Sequence, residues 1–374
     1  MSDVPELYLQ KIEVDSLRCF QKSLWEFTPG LSLITGANGC GKTTLLEAVS
    51  ILAHGRSFRS LRDPQLIRWG TEEFYISGSW LRFGQLHTEA RGRQGRVELK
   101  LQGHQVQSSD LNEALPVIIE APQARRLIDG TARERRRWLD SLLIVCQDTY
   151  SSRYKNYLRC LTQWQRLRRQ NQSTSGEIEV WEEQMVAYGL EVTQIRDQII
   201  EEINVLISEL TDLVEGELTL SLKKTAPDDA KSWRSLLKNY RVDRGNTGRL
   251  HLGPHCDRPD IVYRGKEIRH TGSRGQQRLA AIAIRLAEWD LRKQKRGVAP
   301  LLMFDDCLEP LDQGRQEKIM KHLQSTKAQI LLTTPAGSSM TFNSAVQVQS
   351  LDQSANRKKV FPVTRAAISM KEAA

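Results

Sequence analysis

Residues 36–43 carry the most specific chemistry in the sequence. They read GANGCGKT and fit the pattern G-x-x-x-x-G-K-[ST], in which glycines let several backbone N–H groups converge on a phosphate. In this pattern Lys42 supplies positive charge to the outer phosphates, and the Thr43 hydroxyl is a ligand for Mg²⁺. The residues expected to contact the phosphates of a nucleotide are Gly36, Asn38, Gly39, Gly41, Lys42, Thr43 and Thr44.

The elements on either side of this loop suit phosphate binding. Residues 31–34 form a short apolar run that predicts a buried strand, and residues 44–49 are typical of a helix. A strand, a glycine-rich turn and a helix in this order place the anion at a helix N-terminus. There, unpaired N–H groups and the helix dipole both favour negative charge.

Residues 301–306 supply the carboxylates that such a site needs. Four apolar residues precede Asp305 and Asp306, which predicts a buried strand that ends in acid. We expect Asp305 to hold Mg²⁺ together with Thr43, and Asp306 to polarise the attacking water. Asp306 and Lys42 are therefore the predicted catalytic residues, with ATP and Mg²⁺ as the ligands.

A second anion-binding helix start is predicted at residues 273–276. Ser273 suits the N-cap position, and Gly275 and Gln276 lie in the first turn, an arrangement similar to the ABC signature motif. In ABC heads this segment covers the γ-phosphate held by a second subunit, so the similarity implies a homodimer joined by ATP. Asp312 fits the D-loop of such heads. An ordinary capped helix is the alternative interpretation.

Composition places the chain among soluble globular proteins. It has 374 residues, 39% hydrophobic and 26% charged, and its six scattered cysteines predict neither a disulfide framework nor a zinc site. The polar N-terminus does not fit a secretory signal, and no apolar run reaches the roughly 18 residues that span a bilayer. A cytoplasmic location without membrane contact is expected. The net charge of +9 favours a polyanionic partner, although a solvated basic surface is the alternative.

Patterning along the chain predicts an α/β protein with an inserted helical lobe. Alternating residues between 70 and 110 indicate an antiparallel sheet. Residues 133–170 and 181–213 have helical periodicity, and the polar residues 171–176 would join them as a turn. We therefore predict an ABC-type ATPase head, with a mixed sheet and an antiparallel β subdomain, from residues 1–120 and 216–374. Residues 121–215 would form the helical lobe or arm.

The order of motifs resembles the RecF family of ABC/SMC-like ATPases along essentially the whole chain. The segments that carry the resemblance are residues 38–48, 56–59, 130–140, 253–257, 273–278 and 305–306. It implies a slow, DNA-stimulated ATPase that dimerises on ATP and acts in replication, recombination and repair. The implied partners are DNA at a single-strand gap or single-strand/double-strand junction, RecR and RecO, and indirectly RecA.

Basic residues in the helical region are the candidates for DNA contact. Arginines contact phosphates, although an acidic protein surface or a solvated face are alternatives. The arginines predicted to contact DNA are Arg133, Arg135, Arg136, Arg137, Arg166 and Arg169.

Two other functions fit part of the pattern. One is a RecF-like paralogue whose ATP site gates a protein assembly, for example in mobile-element defence, with incidental DNA binding. The other is a transporter ATPase. The chain has threonines, Thr333 and Thr334, where a transporter head usually carries a switch histidine, which disfavours the transporter.

Overall fold

The computed structural model describes residues 5–59, 65–93, 95–121, 127–170, 176–242, 250–336, 340–341, 346–351, 358–363 and 367–368. Residues 171–175 of the predicted polar turn lie outside this set. The chain forms two compact units. We call Met1–Arg125 with Ser273–Ala374 the head unit, and Arg126–Gly272 the helical unit.

A six-stranded, largely parallel sheet forms the centre of the head unit. Its strands are β3 (Leu31–Gly36), β8 (Val117–Glu120), β12 (Leu301–Phe304), β13 (Ile330–Pro335), β15 (Val346–Leu351) and β16 (Lys358–Val363). Their order is β16-β15-β3-β13-β12-β8, and only β16 runs antiparallel to its neighbour. Every residue of β3 and β12 is buried, as expected for strands covered on both faces. The carboxyl ends of the parallel strands therefore meet at one edge.

A second, antiparallel sheet in the head unit confirms the alternation seen between residues 70 and 110. Its strands are β1 (Tyr8–Leu17), β2 (Phe20–Glu26), β4 (Glu73–Leu81), β5 (Gln85–Arg93), β6 (Arg96–Leu101) and β7 (His104–Gln105). They are ordered β2-β1-β4-β5-β6-β7. Phe74, Ile76 and Trp80 of β4 are fully buried, while Tyr75 between them is exposed. This alternation places one face of the sheet on the core.

Among the described residues, the head unit also contains four helices and a small antiparallel ribbon. They are α1 (Lys42–His54), α2 (Ser108–Ala114), α9 (Arg274–Arg296), α10 (Gln313–Ser325), and the antiparallel pair β14 (Met340–Thr341) and β17 (Ala367–Ile368). Helix α1 is buried along almost its whole length. Leu45, Val49 and Leu52 belong to the same core cluster as Ile12 and Ile76 of the antiparallel sheet. The helix that follows the phosphate-binding loop is thus anchored in the core.

The helical unit contains the remaining elements. They are α3 (Ala132–Cys146), α4 (Tyr150–Arg169), α5 (Gly176–Ser208), α6 (Thr211–Val214), α7 (Ala230–Val242), α8 (Ile268–Thr271), β9 (Leu218–Lys223), β10 (Arg258–Tyr263) and β11 (Lys266–Glu267). The strands form a sheet ordered β11-β10-β9. The long predicted helix ends at Ser208 rather than Leu213, because the Leu210 N–H bonds Ile207 O in a tighter turn.

The boundary between the units differs from the one predicted at residue 216. Residues 216–272 group with the helices and not with the head. Asn204 of α5 explains this grouping, because its amide donates to Leu220 O at 2.9 Å and accepts from Leu220 N at 2.7 Å. Helix α3 is fixed to β10 in a similar way through Arg135 and Pro259. The corrected division lies at residues 125/126 and 272/273.

Candidate nucleotide-binding site

The loop between β3 and α1 has the curled backbone that a phosphate requires. Gly39 and Gly41 adopt φ angles of 82° and 114°, which residues with a side chain rarely reach. Ala37, Asn38 and Gly39 are exposed, whereas Lys42 is 4% exposed. Its ammonium group donates to Gly36 O at 2.8 Å and Ala37 O at 3.2 Å. The loop therefore wraps around a buried cation, and its exposed rim stays open to a ligand.

Close packing behind the loop predicts a severe effect of Gly41→Ala. A Cβ at Gly41 would lie 2.9 Å from both Cys19 Sγ and Phe20 Cζ, in a backbone conformation that alanine rarely adopts. We expect a loss of about 1–3 kcal/mol of stability from the strained backbone alone, and a greatly weakened affinity for ATP.

Gly39→Ala is the matched control, because φ is also positive there but nothing lies within 4 Å of the added Cβ. Thermal unfolding measures the stability of both variants, and ATP titration measures their affinity for ATP. Equal effects of the two substitutions would contradict the packing argument.

Two carboxylates and two hydroxyls meet beside the loop, where β12 ends next to β13. Thr43 Oγ1 donates to Asp305 Oδ1 at 3.0 Å, and Thr333 Oγ1 lies 2.8 Å from the same oxygen. The N–H of Asp306 donates to Thr333 Oγ1 at 2.9 Å. The structure thus brings Thr43, Asp305 and Asp306 together as predicted. The sequence predicts no contact for Thr333, which only shows that a switch histidine is absent there. Its hydrogen bond to Asp305 follows from the pairing of β12 with β13.

The electrostatics of Asp305 suit a bound cation. The residue is 1% exposed, and burial raises the pKa of its carboxyl, while the hydrogen bonds from Thr333 and Thr43 lower it in part. Thr43 and Asp305 present hard oxygen donors of the type that Mg²⁺ prefers. These two oxygens lie 3.0 Å apart, so the residues present fit this ion.

Asp306 has a backbone conformation that restricts which residue can replace it. Its φ is 45°, in the left-handed region that asparagine and aspartate tolerate better than most side chains. The carboxylate is half-buried, and Thr333 Oγ1 lies 3.3 Å from Oδ1. A carboxylate held by the neighbouring strand and partly open to solvent can orient a water molecule.

A buried ion cluster supports α1 one turn beyond Thr43. Glu47 is fully buried, and accepts from Arg18 Nη2 at 2.9 Å and from Ser57 Oγ at 2.5 Å. Arg59 Nη1 lies 3.6 Å from the same carboxylate, and its charge offsets a small part of the rise that burial causes in the pKa of Asp305. The spacing of residues along the sequence does not predict this cluster, although Ser57 and Arg59 belong to a segment that carries the family resemblance.

A further link joins the end of β8 to α9. The carbonyl of Glu120 accepts from Asp305 N at 2.9 Å and from Cys307 Sγ at 3.0 Å. Its carboxylate is 3.2 Å from Arg285 of α9, and burial raises the pKa of this carboxyl. Glu120 therefore connects the carboxylate edge of the sheet to the helix that carries the signature-like segment.

The signature-like residues lie together at the exposed start of α9. Ser273 is the N-cap, its hydroxyl accepting from Gln276 N at 3.3 Å while Gln276 Oε1 accepts from Ser273 N at 2.8 Å. A Cβ on Gly275 would be 3.8 Å from Arg315 Nη1, and Asp312 caps α10 by accepting from Arg315 N at 3.0 Å. The starts of α9 and α10 thus share one exposed surface. In this one chain the motif is a capped helix; covering a phosphate would require a second copy.

The DNA-binding prediction for Arg135 needs correction. Arg135 is 2% exposed; its guanidinium donates to Gly130 O at 2.9 Å and lies 3.2 Å from Asp260. Arg136 is half-buried and donates to Asp257 O at 2.6 Å. Both hold the helical unit together, and a buried, paired guanidinium cannot reach a DNA phosphate. The other predicted residues, Arg133, Arg137, Arg166 and Arg169, are exposed.

Residues 253–257 form a turn inside the helical unit. Asp257 is 1% exposed and its Oδ1 accepts from Thr225 N at 2.9 Å, while His255 Nδ1 and the Tyr157 hydroxyl lie 2.6 Å apart. Burial lowers the pKa of His255. Arg196 donates to Pro254 O at 2.6 Å. These contacts hold residues 253–257 in place within the helical unit and give the segment a structural role.

No helix among the described residues is long and apolar enough to span a membrane.

Comparison with known proteins shows the family to which the chain is similar. Residues 8–359 match the family model of the RecF/RecN/SMC N terminal domain. The chain is 29% identical to the DNA replication and repair protein RecF of Heliobacterium modesticaldum, over 88% of this chain and 92% of that protein. It is 30% identical to RecF of Desulforudis audaxviator, over 87% and 93% respectively.

A solved structure supports the same assignment. The recombination mediator protein RecF-ATPrS in the RecFOR pathway superposes with a TM-score of 0.76 at 25% identity, covering 96% of this chain and 99% of that one. The fold is therefore that of an ABC-type ATPase head with an additional helical unit. On these matches and on the geometry of the loop and its carboxylates, the chain belongs to the RecF family of ABC/SMC-like ATPases.

Proposed function

We propose that this protein is a DNA repair ATPase of the RecF type, in which ATP joins two head units into a dimer. The observation that carries the proposal is the convergence of Thr43, Asp305 and Asp306 beside a loop with left-handed glycines. The dimer binds DNA at a single-strand gap or single-strand/double-strand junction in the cytoplasm, and works with RecR and RecO to load RecA. Hydrolysis, which is slow and stimulated by DNA, then releases the DNA.

The residues of the head unit divide the work of hydrolysis between them. The loop N–H groups and Lys42 bind the phosphates, and Lys42 balances charge that develops on the outer one. Mg²⁺, when bound, neutralises phosphate oxygens, and Thr43 and Asp305 are the residues that hold it. Asp306, kept in place by Thr333, orients and polarises the attacking water.

The exposed start of α9 gives the dimer its second contact with ATP. Ser273 and Gly275 offer a hydroxyl and a helix N-terminus to the phosphate bound by the partner head. A head unit alone holds its own ATP on one side only. Closure around two ATP molecules therefore completes both sites, and opening follows hydrolysis.

Ser273→Arg is expected to preserve ATP binding and to abolish ATP-dependent dimerisation. Ser273 is exposed and does not belong to the loop that binds ATP in its own head. The long arginine side chain would, however, obstruct the phosphate that the partner head binds. Losing the cap costs about 1 kcal/mol, which leaves the head folded. Ser273→Ala is the comparison, because it removes the cap and the hydroxyl without adding bulk, so it should weaken dimerisation less than Ser273→Arg does. ATP titration and sedimentation velocity separate the two effects; loss of ATP binding in Ser273→Arg would refute this assignment.

Sedimentation with and without ATP and Mg²⁺, repeated with gapped DNA, tests the proposal as a whole. A dimer that forms only with ATP, and that retains gapped DNA until hydrolysis, is the expected result. A chain that remains monomeric with saturating ATP and gapped DNA would overturn it. An ATP-dependent dimer with no affinity for DNA would instead favour the paralogue that gates a protein assembly.

A further inference from the structure

Helix α4 has an unusually one-sided charge. Its 20 residues contain no aspartate or glutamate, while its basic residues are Arg153, Lys155, Arg159, Arg166, Arg168 and Arg169. An exposed helix normally alternates charges that stabilise one another at i, i+4 spacing. A helix with cations alone repels itself, so its composition calls for a partner that supplies negative charge.

Only two of these cations have partners within the described part of the chain. Arg153 forms an ion pair with Glu191 at 2.8 Å, and Arg168 donates to Arg241 O at 2.6 Å beside the Trp164 ring. The other four side chains are exposed and make no ion pair with any described residue. We call these four the α4 stripe: Lys155, Arg159, Arg166 and Arg169.

The α4 stripe lies along a single face of the helix. At about 100° per residue, its members fall within an arc of roughly 80°. The buried residues of α4, among them Tyr157, Leu161 and Trp164, lie on the opposite side, where α4 packs against α5. At about 1.5 Å per residue, the stripe is about 21 Å long. It is therefore a straight row of cations turned away from the core.

We propose that the α4 stripe binds the phosphate backbone of the duplex part of the DNA, a surface that rests on the function proposed above. A row of about 21 Å follows roughly six base pairs of rise. Protein partners usually need an apolar or aromatic centre in the interface. None of the large hydrophobic residues exposed in the described chain belongs to α4, so nucleic acid suits the stripe better than an acidic protein.

The aromatic residues of α4 favour duplex over single-stranded DNA. Single-strand binding surfaces stack bases on exposed aromatic rings. Tyr150, Tyr157 and Trp164 are buried here, and Tyr154 stacks between Tyr150 and Tyr157. The helix therefore offers charge without a stacking platform, and contacts phosphates without reading bases.

The double substitution Arg159→Gln with Arg166→Gln tests the α4 stripe in the full chain. The logarithm of the affinity falls as the logarithm of the salt concentration rises, and each phosphate contact adds about 0.9 to the steepness of this fall. We therefore expect the slope for duplex DNA to become shallower by about 2. Between roughly 50 and 200 mM salt, the difference in affinity between the variant and the wild type should be largest at the lowest salt concentration, where phosphate contacts dominate. Affinity for a single-stranded oligonucleotide should change much less.

The matched control removes two exposed cations from α7 of the same unit, as Lys231→Gln with Arg234→Gln, and should leave the slope unchanged. Circular dichroism confirms folding of both variants. An unchanged slope in the α4 variant, or polyglutamate displacing the duplex as efficiently as competing DNA does, would overturn the proposal. A wild-type chain that binds no DNA would instead refute the proposed function, and dimerisation measured in parallel reports on the head unit separately.

Discussion

Replacing Lys42 by methionine should abolish the ATP-dependent dimer. The ammonium group is the buried cation around which the loop curls, with Gly36 O at 2.8 Å and Ala37 O at 3.2 Å as its contacts. Methionine keeps the length of the side chain but removes every donor. A hydrogen bond to a charged group contributes about 1.5–3 kcal/mol, so the Kd for ATP should rise by about 10- to 100-fold. Hydrolysis should fall by about 10²- to 10³-fold, the usual effect of removing one electrostatic contact to the transition state.

Calorimetric ATP titration and sedimentation velocity measure the effect of Lys42→Met. Lys22→Met, on an exposed position of β2, is the control for loss of one positive charge from the head unit. Thermal unfolding without nucleotide shows whether the loop still folds. A Lys42→Met chain that dimerises at wild-type ATP concentrations would be incompatible with ATP bridging two heads.

Asp306→Asn should separate binding from hydrolysis. The φ of 45° at this position disfavours alanine but is tolerated by asparagine, so the backbone should remain in place. The amide can still accept a hydrogen bond from Thr333, but it cannot take up a proton or polarise water as a carboxylate does. Losing such a group typically slows turnover by about 10²- to 10⁴-fold. The dimer should therefore form with ATP and persist for much longer than that of the wild type.

Asp305→Asn provides the contrast, since Asp305 is the proposed Mg²⁺ ligand. This variant should lose the Mg²⁺ dependence of ATP binding, whereas Asp306→Asn should retain it. Single-turnover hydrolysis, together with ATP titration at several Mg²⁺ concentrations, distinguishes the two. Wild-type hydrolysis by Asp306→Asn would assign water activation to another residue, and failure of that variant to dimerise would give Asp306 a structural role.

The predictions that succeeded depend on short stretches of sequence. The loop, the strand before Asp305 and the cap at Ser273 each lie within a few residues, so local spacing determines their conformation. Thr333 was harder to find, because it approaches Asp305 only through the parallel pairing of β12 with β13. Local pattern contains no information about which strands become neighbours.

Arg135 shows a second limit of local pattern. It stands among arginines on α3, and spacing alone cannot tell which of them turns inward. Its carboxylate partner Asp260 is 125 residues away along the chain. The domain boundary was misplaced for a similar reason, since the contact between Asn204 and Leu220 ties β9 to α5. In both cases the deciding contact is made by polar atoms, which apolar periodicity does not register.

The place of β3 in its sheet determines when the ATP site can first exist during protein synthesis. Its two neighbours are β13 and β15, which begin at Ile330 and Val346. At a translation rate of about 5–20 residues per second, β3 leaves the ribosome roughly 15–60 s before either neighbour. The residues of the helical unit, which ends at Gly272, are all available earlier. A nascent chain therefore carries its phosphate-binding loop without the strands that align it until Leu351 has emerged, and gains the capacity to bind ATP only after that point.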